Sequence, residues 1–252
     1  HTASPSHPYM DGLDEYKMVE KFYKSASIRI NHNTKELASK LSVISLAVDS
    51  TGIEWICAFE TGADPFTRLS RFMEAKEIKT NMDEVLTHMK LFLSKTENIY
   101  GIPVERNYLK DTLYVTTKIT VPVYPSNATI YDLIKKIQVY AAKNGANQTG
   151  SPIFNVTEMD NNKLQLMAGI PVDKNFPESG GFSLKHMVRG SFMITEVVGG
   201  DDAIHKASKS LQQYFADYRK TSMAMNFTML VTDRMYQADS SKWITKLYQP
   251  VY

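Results

Sequence analysis

Hydrophobic positions follow a period of two, then three to four, then a mixture of both. Tyr16 to Ile30 reads as extended, with Val19, Phe22 and Tyr23 followed by the alternating Ser27-Ile-Arg-Ile30. Asn31-His-Asn-Thr34 is a turn cluster. Lys40 to Val48 alternates apolar and small residues, Asp49-Ser-Thr-Gly52 signals a hairpin, and Ile53 to Glu60 returns as a strand that Thr61-Gly-Ala-Asp-Pro65 ends. From Phe66 to Thr96 the spacing becomes three and four: Phe66, Leu69, Phe72, Met73, Ile78, Met82, Val85, Leu86, Met89, Phe92 and Leu93 share one stripe. This predicts a long helix, interrupted near Glu74, packed across a sheet.

Leu113 to Val123 is rich in Val, Ile and Thr and predicts a strand. Pro125 to Thr129 supplies turn and capping residues for an amphipathic helix through Ile130, Leu133, Ile134, Ile137 and Tyr140/Ala141, closed by Asn144-Gly145. Ile153 to Thr157 and Leu164 to Val172 follow as strands around the turn Asp160–Lys163. After the loop 173–181 the pattern recurs. Phe182 to Val198 is extended, with an interruption at Arg189-Gly190. Gly199-Gly-Asp-Asp202 leads into a helix with Ile204, Ala207, Leu211, Tyr214 and Phe215 on its stripe, and Phe227–Thr232 and Trp243–Val251 close the chain around the turn Asp233–Ser241. A shift of 74 lays Ile130, Leu133, Ile137, Tyr140 and Ala141 on those five positions, and a shift of 79 lays Pro171-Val172 on Pro250-Val251.

The expected fold class is therefore α+β. The C-terminal part is a pseudo-twofold pair of strand–helix–strand–strand units forming one antiparallel sheet with two helices on one face. The N-terminal part is a set of antiparallel strands with one long helix. The expected organisation is a disordered leader over 1–14, a strand-and-helix segment over 15–100, a linker over 101–112 marked by Gly101 and Pro103, and the repeat domain over 113–252.

Composition narrows the function. With 43% hydrophobic and 22% charged residues, the 252-residue chain is an ordinary globular protein. A net charge of +2 argues against direct nucleic acid binding, and no recognition helix is evident. No apolar run reaches the roughly 18 residues a membrane span needs. The single cysteine, Cys57, excludes an intrachain disulfide and points to a cytoplasmic setting, with export of a disulfide-free protein left open. The start at His1 reads as a processed, tagged or trimmed end. Sequons at Asn127, Asn147, Asn155 and Asn226 read as chance. The six histidines show no i, i+4 pair and there is no cysteine pair, so no metal and no cofactor are expected.

Three stretches carry a resemblance: Ala168-Gly-Ile-Pro-Val172, Gly199-Gly-Asp-Asp202, and Trp243-Ile-Thr-Lys-Leu-Tyr-Gln-Pro-Val251. In their order and spacing, residues 113–252 resemble the GyrI-like family, the effector-binding domain of AraC-type and MerR-type regulators. Glu54-Trp-Ile-Cys-Ala-Phe59, Asn81-Met82, Leu86, Leu91-Phe92 and Ile99-Tyr-Gly101 look like the end of a START-like (SRPBCC) domain, here in reduced form. The GyrI-like resemblance implies a cleft between two pseudo-symmetric units that takes apolar, often aromatic or cationic, compounds. Some members resembling the family are hydrolases. Lys246, where many members have Glu, and Thr228-Met229, where a glutamate is often found, depart from that pattern.

The ligand-binding candidates are Tyr124, Phe154, Met167, Phe192, Glu196, Tyr214, Phe227, Met229, Trp243 and Tyr248. Flat aromatic rings and pliable methionines suit planar apolar ligands, and each taken singly also fits a core. Glu196 alternates with Phe192, Ile194 and Val198, which leaves two readings: a carboxylate for a cation or for acid–base work, or a surface partner of Arg189 or Lys246. The expected function is non-catalytic binding of a small apolar or aromatic molecule, cationic ones included, in a cleft between the two pseudo-symmetric repeats, for sensing or sequestration. The alternatives are a hydrolase or cyclase using Glu196 or a tyrosine as acid or base, and an interaction module with a filled cleft. The expected partner is a small-molecule ligand, with a homodimer left open.

Overall fold

The structure, a computed structural model, describes residues 8–11, 14–33, 35–47, 50–109, 113–160, 163–187, 190–222 and 224–251. Residues 1–7 of the expected leader, the turn residues Thr34, Asp49, Asn161 and Asn162, and Arg189 lie outside these. The chain divides into two compact units, His1–Ser94 and Lys95–Tyr252.

The first unit is a five-stranded antiparallel meander in sequential order: β1 (Tyr9–Asp11), β2 (Asp14–Lys21), β3 (Ser25–His32), β4 (Lys35–Ser45) and β5 (Thr51–Cys57). Two expectations change. Tyr9–Asp11, placed in the leader, pairs with β2 as an edge strand. The extended run Tyr16–Ile30 is two strands, turned over residues 22–24. Register puts Tyr9, Tyr16, Ile30 and Leu37 in one row on the inner face. Helix α1 (Pro65–Leu93) covers that face through Ile78, Met82 and Val85. Asp64 caps it by accepting from the Phe66 and Thr67 amides, and Pro65 fits its first turn. The helix is unbroken at Glu74, contrary to expectation. No glycine or proline lies between Phe66 and Leu93, and Glu74 is anchored by Lys35 at 2.6 Å and Arg71 at 2.9 Å. The stripe residues Phe66, Leu69, Phe72 and Met73 are exposed, so only the later turns of the stripe meet the sheet.

A buried carboxylate ties this unit together. Asp14, 1% exposed, accepts from His32 Nδ1 at 2.6 Å, Asn81 Nδ2 at 2.7 Å and the Tyr16 hydroxyl at 3.3 Å. Asn33 Nδ2, 3.0 Å from His32 Nε2, is consistent with the tautomer that places the histidine proton on Nδ1. Burial and then Asp14 hold the Tyr16 hydroxyl well above its ordinary pKa.

The second unit holds α2 (Thr96–Tyr100), β6 (Glu105–Tyr108), β7 (Leu113–Val121), α3 (Asn127–Lys143), β8 (Ile153–Met159), β9 (Lys163–Pro171), β10 (Ser183–His186), β11 (Ser191–Val198), α4 (Asp201–Asp217), β12 (Phe227–Leu230) and β13 (Ile244–Val251). Its antiparallel sheet has the order β10-β7-β9-β8-β12-β13-β11-β6. Each half runs strand–helix–strand–strand, and each places its third element against the other half, so β8 meets β12 at the centre. The stretch read as a linker supplies β6, paired with β11. The extended stretch Phe182–Val198 is two strands at separate places in the sheet, β10 on β7 and β11 on β13.

Strand parity shows where the helices lie. Val115 opposes Ile170 and Phe154 opposes Ala168, and all four pack with Ile130, Leu133, Ile134 and Ile137 of α3. Met193, Val197, Leu247 and Val251 pack with Ala207, Leu211, Tyr214 and Phe215 of α4. Thr228 opposes both Phe154 and Leu247, so the two sets share one face. The other face carries Tyr114, Ile153, Phe192, Phe227 and Tyr248.

Both helices span 17 residues and begin 74 positions apart, at Asn127 and Asp201. Both end in the same double hydrogen bond. Gly145 N–H donates to Ala142 O and Ala146 N–H to Ala141 O; Arg219 N–H donates to Ala216 O and Lys220 N–H to Phe215 O. This motif needs a left-handed residue. Gly145 supplies it at φ 66° without strain, whereas Arg219 adopts it at φ 48° with a side chain.

Candidate functional site

The two halves part at the centre of the sheet. β8 and β12 pair only through Phe154–Thr228 and Ile153–Met229. Beyond that point Asn155 Nδ2 bridges to the Asn226 carbonyl at 2.8 Å and to its side-chain oxygen at 3.0 Å. A cleft of about 440 Å³ opens there, under α4. Its apolar walls are Tyr124, Phe154, Val156, Leu211, Phe215 and Leu247, with Phe227 and Tyr248 at its border. Its polar lining is amide and hydroxyl: Asn155, Gln212, Asn226 and Gln249, with Ser208, Ser222 and Thr228. Among the described residues the one charged lining residue is Lys220, placed by the left-handed turn at Arg219. Lys220 Nζ lies 6.0 Å from the Tyr218 ring centre and makes no ion pair among the described residues.

The ten candidates separate into four settings. Tyr124, Phe154, Phe227 and Tyr248 line or border the cleft. Phe192 joins Phe227 and Tyr248 in an aromatic cluster on the helix-free face. Phe227 and Tyr248 stack at 4.7 Å, and Phe192 meets them edge-on at 5.6 and 5.8 Å. Met229 and Ile194 pack at the margin of that cluster. Register puts Met167 and Glu196 on the same face. Tyr214 is core, edge-on to Tyr100 at 5.4 Å. Trp243 lies under the Arg234 guanidinium at 4.6 Å.

Glu196 sits opposite Lys246 in register, its Oε2 3.2 Å from Lys246 Nζ, with the two side chains 48% and 36% exposed. It does not line the cleft. An exposed pair of this kind contributes about 0–1 kcal/mol and leaves the carboxylate in water rather than in a desolvated pocket.

Arg234, 9% exposed, ties the two halves beside the cleft. Its guanidinium donates to Asn127 of α3, lies 3.4 Å from Asp201 of α4 and donates to Thr245 of β13 at 2.9 Å. Asn127 and Asp201 open their helices at equivalent positions. Burial lowers the guanidinium pKa, and Asp201 opposes that shift.

The polar lining escaped the search for aromatic residues because it comes from separate elements. One signal was available: the sequons at Asn155 and Asn226 flag the two asparagines that bridge the halves. All four sequon asparagines have side-chain hydrogen bonds, Asn127 with Arg234, Asn147 with Asp173, and Asn155 with Asn226. Among the described residues no group of three His, Cys, Asp or Glu can hold a metal ion, and no helix is long and apolar enough to cross a membrane.

No family model and no curated protein matches the chain. Solved structures do. The EcmrR–DNA complex in EcmrR-RPo has a chain that superposes with TM-score 0.54 at 16% identity, over 75% of this chain and 72% of that one. The EcmrR C-terminal domain superposes with TM-score 0.52 at 15% identity, over 60% of this chain and 98% of that one. The second unit thus shares its fold with the EcmrR C-terminal domain. These likenesses do not bear on the START-like resemblance of residues 15–100, which rests on sequence features alone.

Proposed function

We propose that the second unit binds a small molecule, without catalysis, in the cleft where β8 and β12 part, and that it serves sensing or sequestration. The observation that carries this is the cleft itself. It joins apolar walls to amides and hydroxyls, the mix that orients a ligand without reacting with it. The lining favours a flat ring of modest size held between Phe154, Leu211 and Phe215. Glu196 is a poor counter-charge for a ligand there, since it lies outside the cleft and pairs with Lys246. No observation favours a hydrolase or cyclase built on it.

The test is a thermal-shift screen of the full chain with planar ring compounds of positive, zero and negative charge, repeated on Gln212→Ala and Tyr124→Ala. A ligand at a hundredfold excess over its Kd stabilises the native state by about 2.7 kcal/mol. The expected result is a compound that raises the melting temperature of the wild type and loses most of that effect in both variants. A screen with no stabilising compound, or one whose hits ignore both variants, overturns the reading.

A further inference from the structure

The first unit has a space of its own. A cavity of about 430 Å³ lies between the inner face of the meander and the C-terminal half of α1. Tyr9, Tyr16 and Trp55 line the sheet side, and Val85, Met89 and Phe92 line the helix side. The rings form a wall, with Tyr9 and Tyr16 at 6.3 Å and Tyr16 and Trp55 at 5.5 Å between centres. Such a lining gains from burying any apolar body of that size, about 25 cal/mol per Å² removed from water.

Two carboxylates lie beside this cavity, next to its lining residues Tyr9 and Tyr16. Along β1 the two-residue period puts Asp11 on the same face as Tyr9. Across the strand pair Asp11 opposes Asp14, so two carboxylates face each other toward α1. Like charges in that position repel unless each is neutralised. Asp14 is satisfied by its three donors. Asp11 is not: its Oδ2 is shielded from solvent and accepts no hydrogen bond among the described residues. His88, which lines the cavity, stands with Nδ1 3.5 Å from that oxygen, beyond a normal N–H···O distance. An aromatic wall beside a carboxylate that is 22% exposed, with one oxygen that accepts no hydrogen bond, suits a cation on a flat apolar body. The ring faces and the carboxylate act on the same charge.

We infer that the first unit is a second small-molecule site, separate from the cleft, for planar aromatic cations whose charged group rests on Asp11. The probe is proflavine, a three-ring aromatic cation, against 9-anthracenecarboxylate, a three-ring aromatic anion. Calorimetry on the full chain compares wild type, Asp11→Asn and the cleft variant Tyr124→Ala. Trp55 and Trp243 are the two tryptophans, so a Trp243→Phe background leaves Trp55 in the cavity wall as the sole tryptophan, excited selectively at wavelengths beyond tyrosine absorption. The expected result is saturable proflavine binding with quenching of Trp55, at least tenfold weaker in Asp11→Asn and within twofold of wild type in Tyr124→Ala. The anion binds the wild type more weakly than proflavine does. Three results overturn the inference: no saturable binding of proflavine, an Asp11→Asn affinity within twofold of wild type, or loss of binding in Tyr124→Ala. The last would place the cation in the second unit. Asp11→Asn is isosteric and sits on a three-residue edge strand, and the calorimetry does not depend on the Trp243 substitution.

Discussion

The two halves of the second unit share a geometry and differ in chemistry. α3 begins under a side-chain cap, Ser126 accepting from the Thr129 amide, and ends on Gly145. α4, shifted by 74 positions, begins at Gly200 with no side-chain cap and ends on the left-handed Arg219. Asp201 and Asp202 in its first turn offset part of the difference through the helix dipole. The half with the less favourable helix ends supplies the helix that walls the cleft, through Leu211, Phe215 and the following Lys220. A left-handed residue with a side chain persists only where the surrounding structure holds it. In this case it sets Lys220 at the rim.

That contrast can be broken at four points. The largest effect is expected in the cores under the two helices. Ile137 is 0% exposed and Leu211, its equivalent, is 5% exposed and borders the cleft. Ile137→Ala is expected to cost about 3–4 kcal/mol and Leu211→Ala about 2 kcal/mol, since a site beside open space loses fewer contacts. Urea unfolding of the second unit, followed by circular dichroism, measures both. Equal costs would remove the asymmetry.

Next comes the tie between the halves. Arg234→Met leaves Asn127 and Thr245 without their donor and is expected to cost about 2 kcal/mol. The stacked Trp243 reports it, by a shifted emission maximum and an earlier urea midpoint. A smaller effect is expected at the cap. Ser126→Ala should cost about 1 kcal/mol, read as faster hydrogen exchange at the Thr129 amide. The smallest carries the opposite sign. Arg219→Gly is expected to raise stability by about 0.5–1 kcal/mol, because glycine adopts the left-handed turn freely, and to weaken ligand binding by loosening Lys220. A stability loss in that variant would contradict the strain assigned to Arg219.

Much of this asymmetry was hidden in the sequence, although the symmetry was not. Ile130, Leu133 and Ile137 recur as Ile204, Ala207 and Leu211, because burial against a sheet imposes the helical period locally. Pro171-Val172 and Pro250-Val251 mark the closing strands for the same reason. Edge strands were harder to read. Tyr9–Asp11, Glu105–Tyr108 and Ser183–His186 are three or four residues long, too short for a period to show. The buried charges could not be read at all. Asp14 meets Asn81 67 positions away, and Arg234 meets Asn127 107 positions away. The cleft was half legible. Its aromatic walls could be nominated by residue type. Its amides come from β8, α4, β13 and the residue before β12, and converge only because β8 and β12 part after two residue pairs.

The most direct test of ligand binding in the second unit is hydrogen exchange of the full chain with and without the best stabilising compound from the thermal-shift screen. Added protection is expected in Phe154–Val156, in the α4 segment Ser208–Phe215 and in Asn226–Thr228, with α3 unchanged from Ile130 to Ile137. Protection confined to the helix-free face around Phe192 and Glu196, with the α4 segment unchanged, would contradict it.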